Sequence, residues 1–140
     1  MAEGISVTIV TSWDSDEIAA LYKVGGWWKV EHRAEDLPHL IRGSFAFAVA
    51  ADIATGRAVG MGRIISDGIS DAYIQDVVVL PEYRKSGIGR DIVSILIGHC
   101  LQAGITWIAL IAEPGTEKFY LPIGFRLMER HIPLIYRGEH

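Results

Sequence analysis

Three β-prone segments occupy residues 44–80, and the last runs without a break into a basic loop holding two glycines one residue apart. The segments read "SFAFAVAA", "RAVGMGRIIS" and "DAYIQDVVVL", with "DIATG" and a "DG" turn between them. Connections this short join antiparallel neighbours. After "PEYRKSGIGR" the pattern becomes helical over 91–103, where Ile92, Ile95, Leu96 and His99 recur at helical spacing and Gly104 closes the helix. The continuous apolar run "TWIALIA" then reads as a buried strand. A strand–helix–strand crossover makes the strands ending near Leu80 and Ala112 parallel neighbours. The chain is thereby committed to a mixed sheet, antiparallel first and parallel at the crossover.

The flanks extend this plan. "SVTIVT" is a short first strand. In "SWDSDEIAALYKVGG", Asp14 or Ser15 offers an N-cap, Asp16 and Glu17 fill the first turn, and Gly25-Gly26 stops the helix. "RAEDLPHLIRG" reads as a second short helix, provided Pro38 lies in its first turn. Near the end, "GTEKFYLPIGF" predicts a short helix stopped by proline and glycine, and "HIPLIYR" a last strand. The expected fold class is α/β (α+β), in the order β-α-α-β-β-β-α-β-α-β. With 140 residues and no linker, repeat or low-complexity block, residues 1–140 read as a single domain.

Composition narrows the setting. Half of the residues are hydrophobic and 21% charged, as in a globular chain. The apolar runs are too short to span a bilayer, which argues against a membrane partner. No basic-then-apolar leader opens the sequence, and the lone Cys100 excludes an internal disulfide, so the expected location is cytoplasmic. Net charge −4 weighs against a broad nucleic-acid surface. His32, His39 and His99 lack ligand spacing, so no metal is expected.

In "VVVLPEYRKSGIGR", a strand, a loop and a helix N-terminus follow one another, the arrangement that binds anions. The first helical N–H groups lack intrahelical partners, and the helix dipole places partial positive charge there. Gly87 and Gly89 let the backbone curve around an anion, and Arg84, Lys85 and Arg90 add cations. A diphosphate suits this better than a single carboxylate. A dinucleotide fingerprint requires a third glycine where Ile92 stands, and G-x-x-x-x-G-K-[ST] is absent.

These residues resemble the acyl-coenzyme-A loop of the GNAT superfamily of N-acetyltransferases, whose core is [RQ]-x-x-G-x-[GA]. Arg84, Gly87 and Gly89 match it, and "FYLPIGF", Phe119 to Phe125, resembles that superfamily's F-Y-x-x-x-G-F signature. The resemblance implies acetyl-CoA as cosubstrate. Its pyrophosphate would lie on backbone N–H groups of Lys85, Ser86, Gly87, Ile88, Gly89 and Arg90, and its pantetheine arm beside Val77, Val78 and Val79. A bulge near Asp76 or Val77 would splay that strand from "TWIALIA", and an N–H near Val77 or Val78 would face the acetyl carbonyl. The chain contains no asparagine, so the amide that commonly holds pantetheine is missing, and backbone groups or Lys118 would replace it.

The resemblance also implies the chemistry, transfer of acetyl to a primary amine of a small molecule or protein in a ternary complex. Tyr120 matches the family's general acid, being protonated at neutral pH and able to donate to a departing thiolate. Asp76 or Glu113 could serve as base, and Asp76 could equally be a hydrogen-bonded structural residue of the meander. Trp27 and Trp28 follow the first helix, where such proteins often build the acceptor pocket. A homodimer through the C-terminal strand region is also implied. The alternative is an acyl-CoA-binding sensor without catalysis, which needs the Gly87/Gly89 loop but not Tyr120.

Overall fold

The computed structural model describes residues 2–138. These fall into two compact units, one ending at Leu110 and the other beginning at Ile111.

The first unit holds a five-stranded sheet in sequential order, β1 (Ile5–Ile9), β2 (Ala46–Asp52), β3 (Ala58–Ser66), β4 (Asp71–Val79) and β5 (Trp107–Leu110). The first three pairings are antiparallel and β4–β5 is parallel, as the turn lengths and the crossover require. Before β2 lie helix α1 (Ser15–Val24), a 3₁₀ turn (Ala34–Asp36) and α2 (Leu37–Gly43), and the crossover is α3 (Ile88–Gln102). Asp14 caps α1, its carboxylate accepting from the Glu17 N–H at 3.0 Å. Pro38 lies in the first turn of α2, where its missing N–H costs nothing.

The core is apolar, with Ile18 and Leu21 of α1, Phe47 and Val49 of β2, Met61 and Ile64 of β3, and Ile92, Val93 and Leu96 of α3 all buried. Glycines on β3 admit α3. A Cβ at Gly60 would meet Ile92 Cδ1 at 3.0 Å, and one at Gly62 would meet Ile92 Cγ2 at 2.9 Å.

The second unit carries α4 (Glu117–Tyr120) and a 3₁₀ turn (Leu121–Ile123). The strand expected over "HIPLIYR" is not formed among the described residues. Pro133 withholds a ladder donor, and Ile132, Leu134, Ile135 and Tyr136 are exposed together, without the alternating burial that stabilises a strand. A second correction concerns α3, which begins at Ile88 rather than Asp91. Gly87 takes the left-handed conformation, φ 90°, and the helix starts immediately after it, so Gly89 lies inside the first turn.

Candidate active site

β3 and β4 pair one for one except at a single place. Met61 faces Val78 and Arg63 faces Gln75, so Gly62 alone opposes Asp76 and Val77. This is a β-bulge at the place the family resemblance implied, and Asp76 has φ 60°, the left-handed region. The extra residue reverses the strand's faces. Ile74 pairs with Ile64, on the same side of β3 as Gly62, and Val77 also comes to that side, its Cγ2 3.2 Å from where a Cβ of Gly62 would stand. An unbroken strand would turn residues 74 and 77 to opposite faces.

The parallel pairing with β5 ends at Ile74↔Leu110, just before the bulge. From Gln75 to Val79, β4 therefore keeps its β3 neighbour and has no β5 partner. The stretch without a β5 partner includes Val77, Val78 and Val79.

The Asp76 carboxylate is heavily engaged. Its Oδ2 accepts from the Tyr22 hydroxyl at 2.8 Å and from Arg63 Nε at 2.7 Å. Arg63 in turn donates to Ser44 Oγ at 3.4 Å. Burial, reinforced by the Asp76 charge and hydrogen bond, holds the Tyr22 phenol far above its ordinary range, so it remains a donor. Both contacts fall on the same carboxylate oxygen, so Asp76 is tied to α1 and to β3 at once. In the sequence Tyr22 marks only the apolar face of the first helix, since it stands 54 positions from Asp76 with no local pattern to connect them.

Trp27 and Trp28 pack around the same tyrosine. Their ring centroids lie 6.2 and 6.4 Å from that of Tyr22, and Trp28 also contacts His32 at 5.4 Å. Gly25 is required here, because a Cβ would come within 2.5 Å of the Trp27 ring. Both indoles remain partly exposed, which suits a pocket wall better than a core.

The loop after β4 is tied down by two side chains. Arg84 Nε donates to the Val79 carbonyl at 2.9 Å, tying the loop to the strand end, and Ser86 Oγ donates to the Tyr83 carbonyl at 2.7 Å. Lys85 (φ 66°) and Gly87 (φ 90°) are both left-handed, a backbone that gathers successive N–H groups into a concavity. Within the described residues, none of the N–H groups from Lys85 to Arg90 donates a hydrogen bond. Nothing lies within 4 Å of a Cβ built at Gly87, so that glycine answers to backbone angle and leaves open space. Lys85, Ser86 and Arg90 are exposed around it. Free donors, open space and cations together fit a coenzyme diphosphate.

In the second unit, Gly124 (φ 122°) turns the chain so that Phe125 meets Tyr120 at 5.7 Å, while Phe119 meets it at 4.8 Å, both edge to face. The spacing of "FYLPIGF" thus encases one phenol between two phenyl rings. Burial and the Glu113 charge raise the Tyr120 pKa, which keeps it protonated throughout the neutral range. Thr116 donates to the Glu113 carbonyl through N–H at 3.0 Å and Oγ1 at 2.7 Å, which fixes the entry to α4. Lys118 lies on that helix.

A family model described as acetyltransferase (GNAT) domain matches residues 23–132. The chain belongs to the GNAT acetyltransferase family. It is 41% identical to GCN5-related N-acetyltransferase 1, chloroplastic, of Arabidopsis thaliana over 71 residues, covering 51% of this chain and 36% of that one. It is 36% identical to serotonin N-acetyltransferase 2, chloroplastic, of Oryza sativa subsp. japonica over 78 residues, 56% of this chain and 39% of that one. The chain thus spans less than two-fifths of the length of these two relatives. Among solved structures, a GNAT-family acetyltransferase of Streptococcus pneumoniae superposes with TM-score 0.79 at 26% identity, over 97% of this chain and 99% of that one. A probable acetyltransferase of Staphylococcus aureus gives TM-score 0.80 at 22% identity, over 96% and 99%, a likeness of fold.

Proposed function

We propose that residues 1–140 act as one acetyl-CoA-dependent N-acetyltransferase domain that transfers acetyl to a primary amine of a small molecule or protein within a ternary complex. The observation that carries this reading is the run of free N–H groups from Lys85 to Arg90, placed at the end of a strand whose bulge leaves one edge unpaired.

The bound coenzyme would supply the activated acetyl thioester. Lys85, Ser86, Gly87, Ile88, Gly89 and Arg90 hold the diphosphate through backbone N–H groups, and Arg84 anchors the loop. Val77, Val78 and Val79 offer their free edge to the pantetheine amides, with Lys118 in place of the missing asparagine side chain. An N–H of Val77 or Val78 donates to the acetyl oxygen as negative charge develops there. Tyr120 donates a proton to the sulfur as the thioester bond breaks. Asp76 is committed to Arg63 and Tyr22, which leaves Glu113 as the candidate base. Holding the amine in line with the thioester supplies much of the rate in either case.

Trp27 and Trp28 form a wall for the amine. Paired, partly exposed indoles suit an aromatic or cationic acceptor, and the name of the rice relative makes serotonin a natural first compound to try. The setting read from the sequence is cytoplasmic, without a nucleic-acid or metal requirement and with a homodimer as the assembly. Among the described residues no helix is long and apolar enough to cross a membrane.

The test is thiol release from acetyl-CoA by the purified protein across a panel of arylalkylamines, polyamines, amino acids and lysine peptides. Turnover with one class supports the proposal. Tight coenzyme binding with no turnover on any of them would favour a sensor instead.

A further inference from the structure

We propose that Tyr22 and Arg63 act as a clamp on Asp76, holding it left-handed so that β4 keeps its bulge, and that Asp76 is a positioning residue rather than a base. Part of this rests on the reading of β4 as the coenzyme strand; the conformational part does not.

Asp76 has φ 60°, a region that residues with a Cβ enter only at a cost, with asparagine and aspartate the most tolerant after glycine. Such a residue persists when its surroundings over-determine it. Here two charge-assisted bonds converge on one oxygen, Tyr22 Oη at 2.8 Å and Arg63 Nε at 2.7 Å. They arrive from different elements. Tyr22 is buried on α1, and Arg63 lies on β3 beside Gly62, the residue that opposes the bulge. The carboxylate is thus held from the facing helix and from the neighbouring strand. Were φ at 76 to relax to an extended value, the extra residue could no longer be absorbed, and Val77 and Val78 would exchange faces.

The same contact joins the two halves of the proposed site. Tyr22 packs against Trp27 and Trp28 while its hydroxyl reaches the bulge. One side chain therefore sets the spacing between the aromatic wall and the strand edge where the acetyl group would lie.

The test compares Tyr22→Phe, Asp76→Asn and Asp76→Ala with the wild type by amide hydrogen exchange in the free protein and by calorimetric titration with acetyl-CoA. Asparagine tolerates the left-handed region and can still accept from Tyr22, whereas alanine does neither. In Tyr22→Phe, the amides of Gln75 to Val78 should exchange about tenfold faster, the scale of one lost charge-assisted bond, while those of β1 and β2 stay unchanged. Asp76→Asn, which keeps an acceptor but loses the charge, should fall between the wild type and Asp76→Ala in exchange, and Asp76→Ala should be at least as fast as Tyr22→Phe. Acetyl-CoA affinity should fall further in Asp76→Ala than in Asp76→Asn. Unchanged exchange over Gln75 to Val78 in Tyr22→Phe would overturn the clamp, as would equal damage from asparagine and alanine, the pattern of a residue needed for its charge. If Tyr22→Phe does not fold, the asparagine–alanine pair decides alone. Failure of the wild type to bind acetyl-CoA would sink the coenzyme reading and leave the exchange result to judge the clamp.

Discussion

Gly62 of β3 lies so close to Ile92 of α3 that a Cβ on the glycine would stand 2.9 Å from Ile92 Cγ2. Leu96 Cδ1 and Val77 Cγ2 would each lie at 3.2 Å, so the site is enclosed by the crossover helix and by the bulged strand together. Gly62→Ala should therefore destabilise the fold by about 1–3 kcal/mol, the ordinary cost of overpacking. Urea denaturation measures it, and a midpoint equal to that of the wild type would show that α3 moves away freely.

Gly87→Ala should cost about 1–2 kcal/mol for a different reason. Space is ample, but φ 90° is unfavourable for alanine. The loop relaxes instead of clashing, so coenzyme affinity should fall along with the melting temperature. A thermal melt with a parallel calorimetric titration separates this from Gly62→Ala.

Tyr120→Phe should lower kcat by about 10²-fold, the scale of general-acid catalysis, with little change in coenzyme affinity. Because burial and Glu113 raise the Tyr120 pKa, the alkaline fall in kcat should lie above the ordinary tyrosine value of about 10. A pH–rate profile with whichever amine turns over checks both points, and an unchanged kcat would remove Tyr120 from the mechanism.

Stability should fall as pH rises past about 10, the tyrosine value in an unfolded chain. The folded state retains the Tyr22 proton because burial and Asp76 raise its pKa, whereas the unfolded chain releases it. Above that pH the unfolded state binds fewer protons, so unfolding becomes easier. In Tyr22→Phe the alkaline slope should be shallower, as seen in denaturant midpoints taken between pH 8 and pH 11. Equal slopes would mean that Tyr22 titrates alike in both states.

The elements with strong local signals were legible in the sequence. Three strands joined by short turns could pair only as a meander, and the basic glycine loop was legible as the link between a strand and a helix. The start of α3 was less legible. Glycine disfavours helix, yet Gly89 lies within the first turn because only Gly87 carries the left-handed angle. "HIPLIYR" is β-prone by composition, but a proline and unburied side chains leave it without a ladder. The bulge was expected only through family resemblance, since nothing in "QDVVV" marks an extra residue. Tyr22 was legible as a residue of the first helix's apolar face but not as a partner of Asp76, because that contact between α1 and β4 exists only in the folded chain.

The central claim is that the loop from Lys85 to Arg90 holds the coenzyme diphosphate, and Gly89→Glu tests it most directly. Glutamate is favourable in the first turn of a helix, so the melting temperature should hold or rise. A negative charge in that turn repels the diphosphate, so calorimetric titration with acetyl-CoA should show affinity weakened by about 10²-fold or more, a loss of roughly 2.8 kcal/mol. Wild-type affinity in a folded Gly89→Glu protein would contradict the account.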